Sequence, residues 1–177
     1  MDEEQVVLVD ANDNEIGLMD KMQAHKEGKL HRAISVLIFN SKKQLLLQKR
    51  AASKYHSPGL WTNTCCSHPR MNENPHETAI RRLNEEMGIT CPLEFKFSLT
   101  YKAQLDNGLI EHEYDYIYVG QCDSIPEPNP EEVSECRYAD MEEIGKQIKL
   151  APGSFTPWFK LIVEAIEKDS DYLRVGP

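Results

Sequence analysis

The sequence contains no hydrophobic run that approaches the ~20 apolar residues of a transmembrane helix. Positive charge is also scarce, because 20 Lys and Arg face 29 Asp and Glu and leave a formal net charge of −9. This balance disfavours nucleic-acid binding, and it means that an anion site must gather the few cations the chain has. The five cysteines are an odd number and include adjacent Cys65 and Cys66, which favours a reducing compartment over a disulfide framework. Since the acidic N-terminus also lacks a signal-peptide pattern, we expect a cytoplasmic protein.

The length of 177 residues suits a single domain with a sizeable core. Turn residues separate short apolar segments, so the pattern predicts an N-terminal hairpin over residues 5–19 and further strands downstream. The expected downstream strands are residues 34–40, 44–49, 93–104, 109–119 and 133–138. Helices are expected over residues 141–149 and 156–168, the second with an apolar stripe typical of a buried face.

The stretch from Trp61 to Ile89 carries the densest signals in the chain. Its first part, with Cys66 and His68 two residues apart, is expected to be irregular. A helix is predicted over residues 74–88, with a capping Asn74 at its start and Gly88 at its end. Taken alone, that helix is equally well explained as a solvated charged helix with the i,i+4 pairs Glu77–Arg81 and Arg82–Glu86.

The residues from Glu73 to Ile89 resemble the Nudix box, a helix whose glutamates hold magnesium on a phosphoanhydride. Two positions depart from the box, because Ser67 stands at its glycine and Arg82 at one of its glutamates. The segment WTNTCCSHP, which ends at Pro69, is similar to the signature of the type I isopentenyl-diphosphate isomerases, which share the Nudix fold. The resemblance runs from Lys21 to Trp158 and implies an α/β fold, with a mixed, largely antiparallel sheet flanked by helices.

Candidate metal ligands are spread widely along the chain. Glu111 and Glu113 fall two residues apart in a predicted strand and therefore share one face, where their charges repel unless a proton or cation intervenes. An ordinary polar strand face explains them too, and a lone histidine such as His25 or His31 is seldom a ligand. The resemblance implies that His25, His31 and His68 join both glutamates in a His3Glu2 site with an open sixth position. That set suits zinc, manganese or magnesium without choosing among them.

The resemblance also assigns the chemistry. A free cysteine is usually just a small buried residue, but Cys66 matches a catalytic position of the family and would work with Glu113 as an acid–base pair. Tyr101 would relay a proton to Glu113, and the indole of Trp158 would face a cationic intermediate. Four cations are expected to bind a diphosphate whose magnesium is held by Glu86: these are Lys21, Arg50, Lys54 and Arg82.

The implied activity is isomerisation of isopentenyl diphosphate to dimethylallyl diphosphate, with the order of proton transfers left open. The expected partner is therefore a small prenyl diphosphate, with no nucleic acid or membrane, and the chain is expected to be a monomer or homodimer. A Nudix hydrolase acting on a diphosphate is the first alternative, and it would need Glu85 and Glu86 but tolerate Cys66→Ala. A catalytically silent metal-binding domain on the same fold is the second alternative.

Overall fold

The structure, a computed structural model, describes residues 4–174. Within them, nine strands form one sheet: β1 Gln5–Val9, β2 Glu15–Asp20, β3 His31–Phe39, β4 Leu45–Arg50, β5 Trp61–Thr62, β6 Cys65–Ser67, β7 Glu94–Gln104, β8 Ile110–Gln121 and β9 Val133–Ala139. The same residues form four α-helices: α1 Lys21–Glu27, α2 Pro75–Met87, α3 Met141–Leu150 and α4 Pro157–Lys168. None of these helices combines the length and the apolar character that crossing a bilayer requires.

Strand β3 is the centre of the sheet and is buried along its whole length. It pairs antiparallel with β1, β4 and β6, but parallel with β8. The mixed, mostly antiparallel α/β sheet predicted from the sequence is therefore confirmed. The pairings with β6 and β8 also bring predicted site residues together, because His31 lies opposite Glu113 on β8 and Ser35 lies opposite Cys66 on β6.

The core has one apolar cluster on each side of the sheet. On one side Leu37 of β3 packs with Trp158 and Phe159 of α4, and on the other side Ile34 and Ile38 pack with Leu83 and Met87 of α2. Successive residues of a strand point to opposite faces, so one strand supplies both clusters. Burial of a phenylalanine such as Phe159, which is fully inaccessible, is worth about 3–5 kcal/mol relative to alanine.

Helix α2 begins and ends at local signals. The Asn74 side chain accepts a hydrogen bond from the backbone N–H of His76 at 2.8 Å, and Gly88 adopts the left-handed conformation with φ of 65°. A Cβ at Gly88 would also lie 2.8 Å from Glu127 Cβ, so both conformation and space require glycine. Of the two ion pairs named in the charged-helix interpretation, Arg82–Glu86 is present at 2.7 Å. Arg81 instead binds Glu73 at 2.6 Å and Glu85 at 3.1 Å, so the Glu77–Arg81 pair is wrong.

The segment before α2 is more regular than its sequence suggested. Residues expected to be irregular form the short strands β5 and β6, because their backbones pair with β4 and β3. Extended backbone sends the two adjacent thiols to opposite faces. Cys65 is fully buried on the α2 side, while Cys66 packs against the α4 cluster and reaches the cavity described below. All five cysteines are free thiols.

Candidate active site

A cavity of about 460 Å³ opens where β3, β6 and β8 meet the helices. Ten residues singled out from the sequence line it: Lys21, Arg50, Lys54, Cys66, His68, Arg82, Glu86, Glu111, Glu113 and Trp158. The other three predicted residues, His25, His31 and Tyr101, are buried and lie next to the two β8 glutamates that line the cavity. His25 Nε2 lies 3.9 Å from Glu111, His31 Nε2 lies 3.6 Å from Glu113, and the Tyr101 hydroxyl donates to Glu113 at 2.7 Å.

Three histidines and one glutamate form a cluster whose ligand atoms all lie within 4.8 Å of one another: His25, His31, His68 and Glu113. The Nδ1 atoms of His25 and His31 hydrogen-bond backbone carbonyls at 2.7 and 2.8 Å, which fixes each ring and turns Nε2 inward. Within residues 4–174 both Nε2 atoms are buried without a hydrogen-bond partner. Unpartnered buried nitrogens are costly, and they are explained if an ion binds them, so the residues fit a divalent metal.

The protonation states of the cluster suit metal binding. Burial lowers the pKa of His25, and burial lowers that of His68 to about 4 even though Glu113 opposes the shift. Both imidazoles are therefore neutral at pH 7, the form that binds metals. Burial alone would raise the pKa of Glu113, but the nearby imidazoles of His31 and His68 outweigh burial and hold that pKa well below its usual range. Burial and the charge of Glu113 raise the pKa of Glu111, so the two glutamates diverge.

The Cys66 thiol lies between an indole and a carboxamide. Trp158 Nε1 donates to Cys66 Sγ at 3.1 Å, and the thiol donates to Asn63 Oδ1 at 3.1 Å. Two backbone carbonyls, those of Val36 and Cys65, accept from the Asn63 amide nitrogen and fix its orientation. Burial raises the pKa of the Cys66 thiol to about 12, so the group carries a proton at neutral pH.

The four predicted cations lie at the cavity, and three of them pair with carboxylates. Lys21 binds Glu4 at 2.5 Å, Lys54 binds Glu132 at 2.5 Å, and Arg82 binds both Glu86 at 2.7 Å and Glu132 at 3.2 Å. Arg50 instead lies over the Trp158 ring, with Cζ 5.4 Å from the ring centre. A bound anion would compete with these carboxylates for the cations, whereas a cation at Glu86 would relieve the competition.

Several cavity residues were not predicted to be site residues: Glu4, Tyr55, His56, Ser67 and Glu132. Glu132 lies in a proline-rich loop and gains its role only by meeting Lys54 and Arg82 across the fold. His56 precedes a turn and is buried against His25, with which it forms a second possible ligand group that includes Glu111. Periodicity gives no signal for either residue, because neither belongs to a helix or strand.

Comparison with known proteins places this geometry in a family. The NUDIX domain family matches residues 29–159. Among solved structures, one from Deinococcus radiodurans superposes with a TM-score of 0.78 over 92% of this chain and 98% of its own, at 18% identity. A MutT protein from Methanosarcina mazei Go1 gives a TM-score of 0.67 over 80% of this chain and 95% of its own, at 17% identity. These likenesses establish the class: the fold is a NUDIX fold.

Curated relatives narrow the class. Isopentenyl-diphosphate Delta-isomerase of Pectobacterium atrosepticum is 55% identical over 157 residues, covering 89% of this chain and 88% of the relative. Isopentenyl-diphosphate Delta-isomerase 1 of Aromatoleum aromaticum is 50% identical over 176 residues, covering 98% of this chain and 99% of the relative. The chain therefore belongs to the isopentenyl-diphosphate Delta-isomerase family of NUDIX-fold proteins.

Proposed function

We propose that this protein converts isopentenyl diphosphate to dimethylallyl diphosphate. The observation that carries the proposal is one cavity lined by the side chains of Cys66 and Glu113 and by four cations. In this rearrangement the terminal alkene carbon gains a proton, and the carbon two bonds away loses one. The double bond moves and no atoms are lost, so one group must donate and another must accept.

Cys66 and Glu113 are the proposed acid–base pair. The cavity environment holds Cys66 as a thiol and Glu113 as a carboxylate, which gives one proton donor and one acceptor around the same space. Tyr101 donates to Glu113 Oε2 at 2.7 Å and orients that carboxylate, while His68 contacts Oε1 at 2.9 Å. Cys66 lies on β6 and Glu113 on β8, and both strands pair with β3, so the sheet holds the two groups in place.

Trp158 is proposed to stabilise the cationic species between the two proton transfers. Its side chain is 3% exposed and its N–H is directed to Cys66 Sγ, so the ring is fixed at the cavity wall. Protonating a branched alkene places positive charge on a tertiary carbon, and an aromatic face attracts such charge.

The proposed metal centre comprises His25, His31, His68, Glu111 and Glu113. A divalent ion bound there would neutralise the buried carboxylate pair and tune the basicity of Glu113. The five side chains come from α1, β3, β8 and the segment after β6, so they also tie these elements together. The mixture of imidazole and carboxylate suits zinc, manganese or magnesium.

The diphosphate is proposed to bind at Lys21, Arg50, Lys54 and Arg82, with Glu86 holding its magnesium. Arginine offers two parallel donors to a phosphate and lysine a mobile point charge, and both kinds of group line the cavity. A magnesium ion at Glu86 would take over the carboxylate that now accepts from Arg82, freeing that guanidinium for phosphate oxygens.

The five free thiols also support a reducing compartment, which we propose is the cytoplasm.

Hydrolysis of a diphosphate is the competing function on this fold. Against it, Arg82 occupies a glutamate position of the Nudix box and donates to both remaining acids, Glu85 at 2.7 Å and Glu86 at 2.7 Å. A hydrolase needs those acids to assemble metal around an attacking water. The structure thus leaves fewer free carboxylates for cleavage than the box normally provides.

Proton NMR of the purified protein with isopentenyl diphosphate and magnesium in deuterated water tests the proposal. We expect dimethylallyl diphosphate that carries deuterium, because the added proton comes from a group that exchanges with solvent. The double variant Cys66→Ser, Glu113→Gln is the matched control and should give no alkene shift. Release of phosphate without an alkene shift would establish hydrolysis instead, and no reaction with magnesium, zinc or manganese would favour a silent metal-binding domain.

A further inference from the structure

A fourth histidine, His56, lies beside the proposed metal centre. It follows β4 in the loop that also carries Lys54, and its side chain is only 3% exposed. Its ring stacks on that of His25, with centroids 5.6 Å apart and planes inclined by 28°. The same separation is 5.0 Å between His25 and His31 and 5.9 Å between His25 and His68. His56 is therefore as near to His25 as the recognised members of the cluster are.

The Nδ1 atom of the His56 ring also has a hydrogen-bond partner. It lies 3.2 Å from the Ser57 hydroxyl, whereas the Nδ1 atoms of His25 and His31 face backbone carbonyls. Engagement of Nδ1 leaves Nε2 as the coordinating nitrogen. The backbone is fixed as well, because Arg50 Nη2 donates to the His56 carbonyl at 3.1 Å and Asp106 Oδ1 accepts from the next N–H at 2.9 Å.

His56 forms a ligand group with His25 and Glu111, whose ligand atoms all lie within 4.8 Å of one another. This group shares His25 with the main cluster. In addition, Glu111 Oε2 is buried without a hydrogen-bond partner within residues 4–174. Metal–nitrogen bonds are about 2.1 Å, so ligands on opposite sides of one octahedral ion stand about 4.2 Å apart. The six ligand atoms do not all lie within 4.8 Å of one another, so a single ion would draw the two groups together around their shared His25.

We propose that His56 is the sixth ligand of this centre, which would then hold its ion with four imidazoles and two carboxylates. This inference rests on the metal centre proposed above and adds a residue to it. Imidazole suits zinc and similar borderline ions better than it suits magnesium, so His56 should bias the centre towards nitrogen-binding metals. It would also link the metal to the loop that carries Lys54, one of the proposed diphosphate ligands.

Nitrogen NMR of the protein labelled with ¹⁵N-histidine tests the inference without substrate and without an activity assay. The chain has six histidines, and the remaining two, His76 and His112, hydrogen-bond backbone carbonyls elsewhere. Adding one equivalent of Zn²⁺ to metal-free protein should move four imidazole signals to metal-bound positions and leave two in place. The His56 signal is assigned by its loss in His56→Ala, and the variant His76→Ala serves as the matched control.

Competition with a chelator gives the second measurement. His56→Ala should bind Zn²⁺ at least about 10-fold more weakly than the wild type, whereas His76→Ala should match the wild type. Three shifted signals in the wild type would overturn the role of His56 and leave the rest of the centre standing. A His56 signal that moves only with a second equivalent would also overturn it, because a separate ion would then be bound. If Zn²⁺ moves no signal, the centre itself is refuted, and isomerisation is judged separately by the deuterium experiment.

Discussion

Replacing Tyr101 with phenylalanine removes one oxygen from the site and little else. The hydroxyl donates to Glu113 Oε2 at 2.7 Å, and the ring packs in the core cluster on the α4 side of the sheet. Phenylalanine retains that packing, so the change isolates the hydrogen bond to the proposed acid–base carboxylate. Because Tyr101 contacts Glu113 from the core, we expect the loss in kcat and little change in KM for isopentenyl diphosphate.

The magnitude follows from the kind of hydrogen bond that is lost. A hydrogen bond to a charged group is worth about 1.5–3 kcal/mol. If that energy acts on the transition state, kcat should fall about 10- to 150-fold. Formation of dimethylallyl diphosphate is followed by NMR over a range of substrate concentrations, so that kcat and KM are obtained separately.

The matched control is Tyr118→Phe. Tyr118 is a buried tyrosine of β8 in the opposite core cluster, where burial raises its pKa to about 12. This variant should keep wild-type kcat, and both proteins should bind the same amount of metal. An unchanged kcat in Tyr101→Phe with full metal content would refute the role of the hydroxyl. A loss of metal together with kcat would instead assign Tyr101 to the stability of the centre.

Three further predictions concern Cys66, Arg82 and Glu111. Cys66→Ser should lower turnover about 10²- to 10⁴-fold in the same NMR assay. Cys136 lies outside the cavity, so Cys136→Ser should keep wild-type turnover. Equal turnover in the two variants would exclude Cys66 from the chemistry. Arg82→Glu should raise KM for isopentenyl diphosphate at least about 10-fold by removing a charge-assisted contact, and Arg82→Lys should give an intermediate KM. An unchanged KM in Arg82→Glu would exclude a diphosphate contact. Because its pKa is raised, Glu111 must lose its proton when metal binds, so the affinity for metal should increase with pH. Calorimetry of metal binding in two buffers should reveal the released proton, and Glu111→Gln should abolish this release. Identical enthalpies in both buffers would contradict that assignment.

Features with local causes were predictable from the sequence. Asn74 and Gly88 define α2 because each satisfies backbone groups of its own helix end. The alternation along β8 placed Glu111 and Glu113 on one face, and both are buried in the structure. In each case the signal and its consequence lie within a few residues of each other, which is the range over which periodicity and capping operate.

Features with distant causes were not predictable. The parallel pairing of β3 with β8 brings His31 beside Glu113 across 82 residues of chain, and neither strand contains a signal for its partner. His56 follows no helix or strand pattern, and its burial depends on contacts with His25 and Trp158. The set of metal ligands was likewise identified through family resemblance, since spacing alone left ordinary polar residues as an equal explanation.

The position of Arg82 connects the NUDIX fold to a reaction that breaks no phosphate bond. On α2 its guanidinium binds Glu85 and Glu86, and it also reaches Glu132, which pairs with Lys54. As a proposed phosphate ligand, Arg82 stands where a hydrolase would have another metal ligand, so the helix would hold a diphosphate while assembling less metal for attack on it. The proposed proton-transferring groups, Cys66 and Glu113, lie instead on β6 and β8, which both pair with β3. On these assignments, binding and chemistry use different elements of one fold, and the helix keeps its carboxylates for binding while the strands supply the reaction.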